Sequence, residues 1–113
     1  MAFKLAIANT IITKVKGAFT DENGQERAFE FQLEQSRIDQ AALQASATNN
    51  AESTSEFIKR VTTGWRGQRL VQNDDGSDAA FSPEALDVLL SISGMAGYCY
   101  RAYLEQVLVH AKN

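Results

Sequence analysis

The side chains able to do acid–base, nucleophilic or metal chemistry are few and scattered. The sequence holds one histidine, His110, and one cysteine, Cys99. As a general base or metal ligand, His110 would need partners from distant segments, because no cysteine stands near it on a shared helix face. Cys99 has no activating base beside it, so it reads as a small helix residue and not as a nucleophile. A lone cysteine also closes no intrachain disulfide and builds no cysteine-based zinc site, which fits a reducing compartment. Two acidic turns invite a calcium reading. Asp21, Asn23, Gly24 and Glu30 fall at the third, fifth, sixth and twelfth places of an EF-hand loop, but Phe19 occupies the first, where an oxygen ligand is needed. Around Gly76 the fit is poorer, with Val71 first and Ser82 twelfth. Gly64 and Gly67 match neither the dinucleotide nor the P-loop pattern. No catalytic, cofactor-binding or metal-binding residue is expected, and no cofactor.

One cluster has chemistry of another kind. Lys59, Arg60, Arg66 and Arg69 surround Trp65, a combination that can contact phosphates and stack a base. Beside an acidic turn, and in a chain of net charge -3 with pI near 5.1, it reads more simply as a solvated face with local ion pairs. Nucleic-acid binding is not expected. The 113 residues make one domain, 1–113, whose 44% hydrophobic and 22% charged content is ordinary for a globular protein. No stretch approaches a membrane span, and the first residues lack the pattern of an export signal. A cytoplasmic protein without membrane contact is expected.

The elements follow from periodicity. From Ile11 to Leu33 apolar residues alternate with polar ones, with Ile11, Val15 and Phe19 on one face of the first arm and Phe29, Phe31 and Leu33 on the second. Asp21-Glu22-Asn23-Gly24 between them supplies the turn, giving an antiparallel hairpin over about residues 3–33. Ile38, Ala41, Ala42 and Ala45 allow a short, weakly striped helix that fades into a flexible connection over about 44–52, near Asn49-Asn50. The helical part spans about 53–112. Ser53 and Glu56 have capping-box spacing, Phe57, Ile58 and Val61 share a face, and Gly64 is placed as the stop. Asn73-Asp74-Asp75-Gly76 forms a second turn, as a small hairpin or an ordered loop. Ser82-Pro83 starts the next helix, with Phe81 and Leu86 spaced as a hydrophobic staple and Leu86, Leu89 and Leu90 on its buried side. After Ser93-Gly94 a last helix runs from about Met95 to Ala111, striped by Tyr100, Tyr103, Leu104, Val107 and Leu108. The fold class is α+β: an N-terminal antiparallel β-hairpin followed by three or four α-helices.

The stretch Phe57 to Tyr103 holds a larger pattern: Gly64-Trp65-Arg66-Gly67 after a helix, an acidic turn with Gly76, then Phe81-Ser82-Pro83-Glu84, a leucine pair and a tyrosine-bearing helix. It resembles the tail assembly chaperones of long-tailed bacteriophages and prophages, in which a tryptophan-glycine element leads through an acidic turn into an aromatic-Ser-Pro-Glu helix start. The resemblance runs from Ser53 to the end of the sequence, and the hairpin is compatible with it. It implies a non-enzymatic protein that binds the tape-measure protein, recruits tail-tube subunits during tail morphogenesis and is absent from the finished tail. It also implies that Gly64, Trp65, Gly67, Gly76, Phe81, Ser82 and Pro83 form the shared structural motif. Apolar surface in excess of one stripe makes Tyr98, Tyr103 and Val107 candidate partner contacts, and a hairpin edge suggests weak self-association. The competing readings are a small tail-completion or head-tail joining protein retained in the virion, a nucleic-acid module and a small enzyme.

Overall fold

In the computed structural model, which describes residues 2–48 and 52–109, the alternating stretch is the hairpin of β1 (Thr10–Thr20) and β2 (Glu26–Ser36). The readings at Asn49-Asn50, His110 and Ala111 lie outside the described residues. Period-two geometry puts Ile11, Thr13 and Val15 on the same face as Phe31, Leu33 and Gln35, and all six are buried. Phe19, expected on that face, is 41% exposed near the turn. The hairpin begins later than expected: residues 2–9 precede the sheet and are exposed.

The turn is a three-residue loop closed by Asp21 N–H to the Gln25 carbonyl (2.9 Å) and Gly24 N–H to the Asp21 carbonyl (3.0 Å). Only Gly24 takes a positive φ, so Asn23 does not use the left-handed tolerance the sequence offered. The Asp21 carboxylate accepts from Asn23 N–H, Gln25 N–H and Arg27 Nε. Arg27, with the turn amides, holds it below the usual aspartate range. Its oxygens are committed to the turn. The second acidic turn repeats the first: Asn73 N–H bonds the Ser77 carbonyl, Gly76 N–H bonds the Asn73 carbonyl, and Gln72 bridges Asp78. It is the small hairpin, and Gly76 takes the role of Gly24.

Helix α1 (Gln40–Thr48) persists through the segment expected to be a flexible connection from 44. It buries no residue; Ala42 and Leu43 are half-buried, while Ala41 and Ala45 of the expected stripe are exposed. Helix α2 (Thr54–Val61) begins with the capping box, Ser53 Oγ accepting from Glu56 N–H and Glu56 accepting from Ser53 N–H. Phe57, Ile58 and Val61 are buried as the spacing requires.

Gly64 does not stop this helix. The helix ends at Val61 and passes directly into a third strand, β3 (Thr62–Arg66), antiparallel to β2 in the order β1-β2-β3. Two consecutive β-branched residues, Thr62 and Thr63, favour the extended chain. Thr62 N–H and Oγ1 both bond the Ile58 carbonyl and so close the helix end. Leu33 faces Trp65 and Gln35 faces Thr62, so Thr63 is an extra residue, a β-bulge.

Helix α3 (Pro83–Leu90) has Ser82 as its N-cap, Oγ accepting from Ala85 N–H at 3.0 Å, with proline in the first turn where a missing N–H costs nothing. Leu86, Leu89 and Leu90 are buried. Helix α4 (Met95–Val107) starts after Gly94 and ends four residues before the expected Ala111, where Leu108 turns extended. Its buried row is Met95, Cys99, Tyr103 and Val107, one residue per turn, so the stripe centres on Cys99 and not on Tyr100 and Leu104. Helix α4 lies against β1 and α2, and α3 against both neighbouring helices. The result is an α+β fold with one core, in which Leu33, Ile58, Leu86, Leu89 and Tyr103 are fully enclosed.

Candidate partner-binding surface

The residues that carry the family resemblance lie in β3, in the segment that follows it and at the start of α3, where Trp65 and Phe81 meet. Gly64 stands opposite Glu34 on the solvent face, and a Cβ there would lie 2.5 Å from a Glu34 carboxylate oxygen. The absent side chain lets Glu34 lie across the strand and pair with Arg66 Nε at 2.6 Å. Trp65 points the other way. Its indole N–H donates to the Ala79 carbonyl (3.2 Å) and its ring meets Phe81 edge-on, centroids 5.4 Å apart. The segment after Gly67 is held by Gln68, which the sequence does not single out. Its amide nitrogen donates to the Val71 and Ala79 carbonyls, and its oxygen accepts from Leu70 and Val71 N–H, at 2.8 to 3.1 Å. An amide has two donors and two acceptor sites, and all four are used. Gly76 turns the hairpin beyond, and Ser82 and Pro83 then begin α3.

The basic residues close to Trp65 in sequence are separated in space. Lys59 pairs with Asp87 on α3 at 2.8 Å, Arg60 with Glu52 at 2.9 Å, and Arg66 with Glu34 on the outer face of the sheet. Asp87 holds the Lys59 ammonium above its usual range, and Arg60 holds the Glu52 carboxyl below its own. Arg60 also lies over the Phe57 ring, 5.2 Å from its centroid. Three of the four cations thus point to three different carboxylates, and no continuous phosphate-binding track is formed by them.

Of the partner-contact candidates, the fold presents one. Tyr103 is fully buried, edge-on to Phe57, with its hydroxyl donating to the Ser36 carbonyl at 2.8 Å. Val107 is buried too, and its carbonyl accepts from Arg37 Nη1. Both tie α4 to β2 and the residue after it. Tyr98 is 41% exposed, packed edge-on against Phe29, with the Arg101 guanidinium over its ring, 5.2 Å from the centroid. It borders a groove of about 390 Å³ whose walls are Lys14 and Lys16 of β1 and Arg101, Ala102 and Glu105 of α4. Further exposed apolar side chains are Phe3, Leu5 and Ile7 before β1, Val88 and Ile92 around α3, and Leu108 and Val109 after α4.

Burial pushes the Cys99 thiol up to about 12. At neutral pH it is protonated and enclosed among core residues. A thiol reagent such as DTNB is expected to leave Cys99 unmodified in the native protein at pH 8 and to titrate one thiol on denaturation. Rapid labelling without denaturant would contradict the placement of Cys99 in the buried row of α4. Among the described residues no group of three or more His, Cys, Asp or Glu side chains is placed to hold a metal ion, and no helix is long and apolar enough to cross a membrane. Comparison of the chain with protein families, with curated proteins and with solved structures returned no match.

Proposed function

We propose that this protein is a non-enzymatic tail assembly chaperone of a long-tailed phage or prophage. It acts in the host cytoplasm, holds the tape-measure protein while that long helical chain is exposed, and recruits tail-tube subunits around it. The observation that carries the reading is the contact between Trp65 and Phe81. The tryptophan-glycine element and the aromatic-Ser-Pro helix start lie about fifteen residues apart in sequence, yet Trp65 bonds Ala79 and packs on Phe81. Two of the residues behind the resemblance, Trp65 and Phe81, are therefore packed against each other. A holding function asks for apolar surface that accepts many similar helices and for no accurately placed titrating group. Exposed Val88, Ile92, Tyr98, Leu108 and Val109 supply such surface.

Coexpression with a cognate tape-measure protein is expected to keep that protein soluble, and mature tails should lack this chain. Stoichiometric recovery of the chain from purified virions by mass spectrometry would overturn the reading in favour of a tail-completion or head-tail joining component.

A further inference from the structure

The sheet lacks a partner on one side. With the order β1-β2-β3, the eleven-residue β1 has a free edge, and unpaired backbone groups along such an edge are a template for another strand. The ladder fixes which residues present them. Arg37 N–H bonds the Asn9 carbonyl at one end of the hairpin, and Asp21 N–H bonds the Gln25 carbonyl at the other. Bonded residues alternate along an antiparallel pair, so the odd-numbered residues of β1 turn their peptide groups to β2. The even-numbered ones, Lys14 and Lys16 among them, turn theirs to the free edge. These two lysines are also the contribution of β1 to the groove of about 390 Å³ whose other wall is α4. The opposite edge of the sheet is a poorer template, since β3 has only five residues and is bulged at Thr63.

The groove is cationic although the chain is acidic. Its lining holds Lys14, Lys16 and Arg101 against one carboxylate, Glu105, whereas the whole chain carries -3. Lys14 is engaged only by Glu30 of β2 at 3.4 Å, a solvent-exposed pair that another carboxylate can replace at little cost. Among the described residues Lys16 and Arg101 pair with no carboxylate; Arg101 lies over the Tyr98 ring instead. We propose that an extended acidic segment of a partner protein adds to the free edge of β1 as a fourth strand. Carboxylates at its positions i and i+2 stand opposite Lys14 and Lys16, and the side chain between them enters the groove beside α4. The alternation follows from the faces of β1: Thr13 and Val15 are buried beneath the helices, so Lys14 and Lys16 lie on the outer face, and cross-strand neighbours share a face. Backbone pairing gives such a strand its affinity, and the alternate carboxylates give it its register. The occupant is a different protein because this chain contains no such segment: none of its 14 acidic residues stands two positions from another. The docking is independent of the client that the protein holds.

The probe is the blocked peptide Thr-Thr-Glu-Val-Glu-Thr-Thr, titrated into the full chain labelled for nuclear magnetic resonance. It is expected to shift the amides of Ile12, Lys14 and Lys16 and of residues 98–106, and to bind more weakly as salt is raised. The same peptide with glutamine in place of both glutamates should bind about tenfold more weakly, the loss of two cross-strand ion pairs. The variant Lys14→Gln/Lys16→Gln, altered only at exposed positions, should keep the wild-type circular dichroism spectrum and melting temperature and should no longer distinguish the two peptides. A peptide methylated on both glutamate nitrogens keeps its charge but loses the donors that meet the edge, and it should not bind. Absence of binding at millimolar glutamate peptide, shifts confined to other surfaces, or a double variant that still prefers glutamate would each overturn the proposal. Equal binding of the methylated peptide would reduce the site to a charged surface and overturn strand addition. Shifts of the same edge amides on concentrating the chain without peptide would give the edge to a second copy and overturn the choice of occupant.

Discussion

Gln68→Leu is expected to lower the free energy of unfolding by at least about 3 kcal/mol, although the two side chains are similar in size. The change removes four hydrogen bonds, each with a net worth of about 0.5 to 1.5 kcal/mol. It also leaves the buried Val71 N–H and the half-buried Leu70 N–H without the oxygen that accepts from them, and each orphaned group costs about 1 to 3 kcal/mol. The Val71 and Ala79 carbonyls are affected less, because they still accept from Ala79 N–H and from the Trp65 indole. Denaturant unfolding measures the total. Hydrogen exchange locates it: the Leu70 and Val71 amides should lose protection first. An unchanged midpoint would mean that the segment between β3 and α3 is not held by this side chain.

The second large effect lies in the helix layer. Leu89 is fully buried among the leucines of α3 and the core cluster. Leu89→Ala is expected to cost about 2 to 5 kcal/mol, the lost transfer energy plus the cavity left behind. The position within that range depends on how far α2 and α4 can close around the space. The neighbouring cap sets the scale: Ser82→Ala should cost about 1 kcal/mol, because it frees a single helix N–H. The order of the two values matters more than either. If Ser82→Ala proved the more damaging, α3 would owe its place to its cap and not to its buried face. If both variants unfolded at the wild-type midpoint, the placement of the helix itself would be wrong.

The two positions differ in how readily sequence exposes them. Leu89 belongs to a pattern, since Leu86, Leu89 and Leu90 at helical spacing after Ser82-Pro83 mark a buried face whatever surrounds it. Gln68 belongs to none. An isolated glutamine between Gly67 and Arg69 reads as solvent-exposed loop, and its burial follows only from Trp65, Val71 and Ala79 converging on it. The third strand was hidden for a related reason. The bulge at Thr63 puts Thr62 and Trp65, three residues apart, on the same inward face, which breaks the period-two signal. Gly64, which reads locally as a helix stop, is instead the small residue that lets Glu34 cross to Arg66.

The basic cluster teaches the same lesson. Close in sequence, Lys59, Arg60 and Arg66 are dealt to a carboxylate on α3, a loop carboxylate and the outer face of a sheet, because α2 gives way to β3 between them. Tyr103 and Val107, read as available surface on an apolar helix, are interior because α4 lies across β1 and α2, and its Met95-Cys99-Tyr103-Val107 row faces inward.

By itself, the sequence determined whatever depends on neighbours a few residues apart: the hairpin with its glycine turn, the capping box at Ser53, the Ser82-Pro83 start, and the leucine face of α3. Short-range sterics and hydrogen bonds fix these with little reference to the rest of the chain. Tertiary structure alone decided the third strand, the enclosure of Gln68 and Tyr103, the dispersal of the basic residues, and the groove left beside β1. Each of these depends on which distant segments share a face, and a linear pattern carries that information only where no bulge, insertion or change of element interrupts its period.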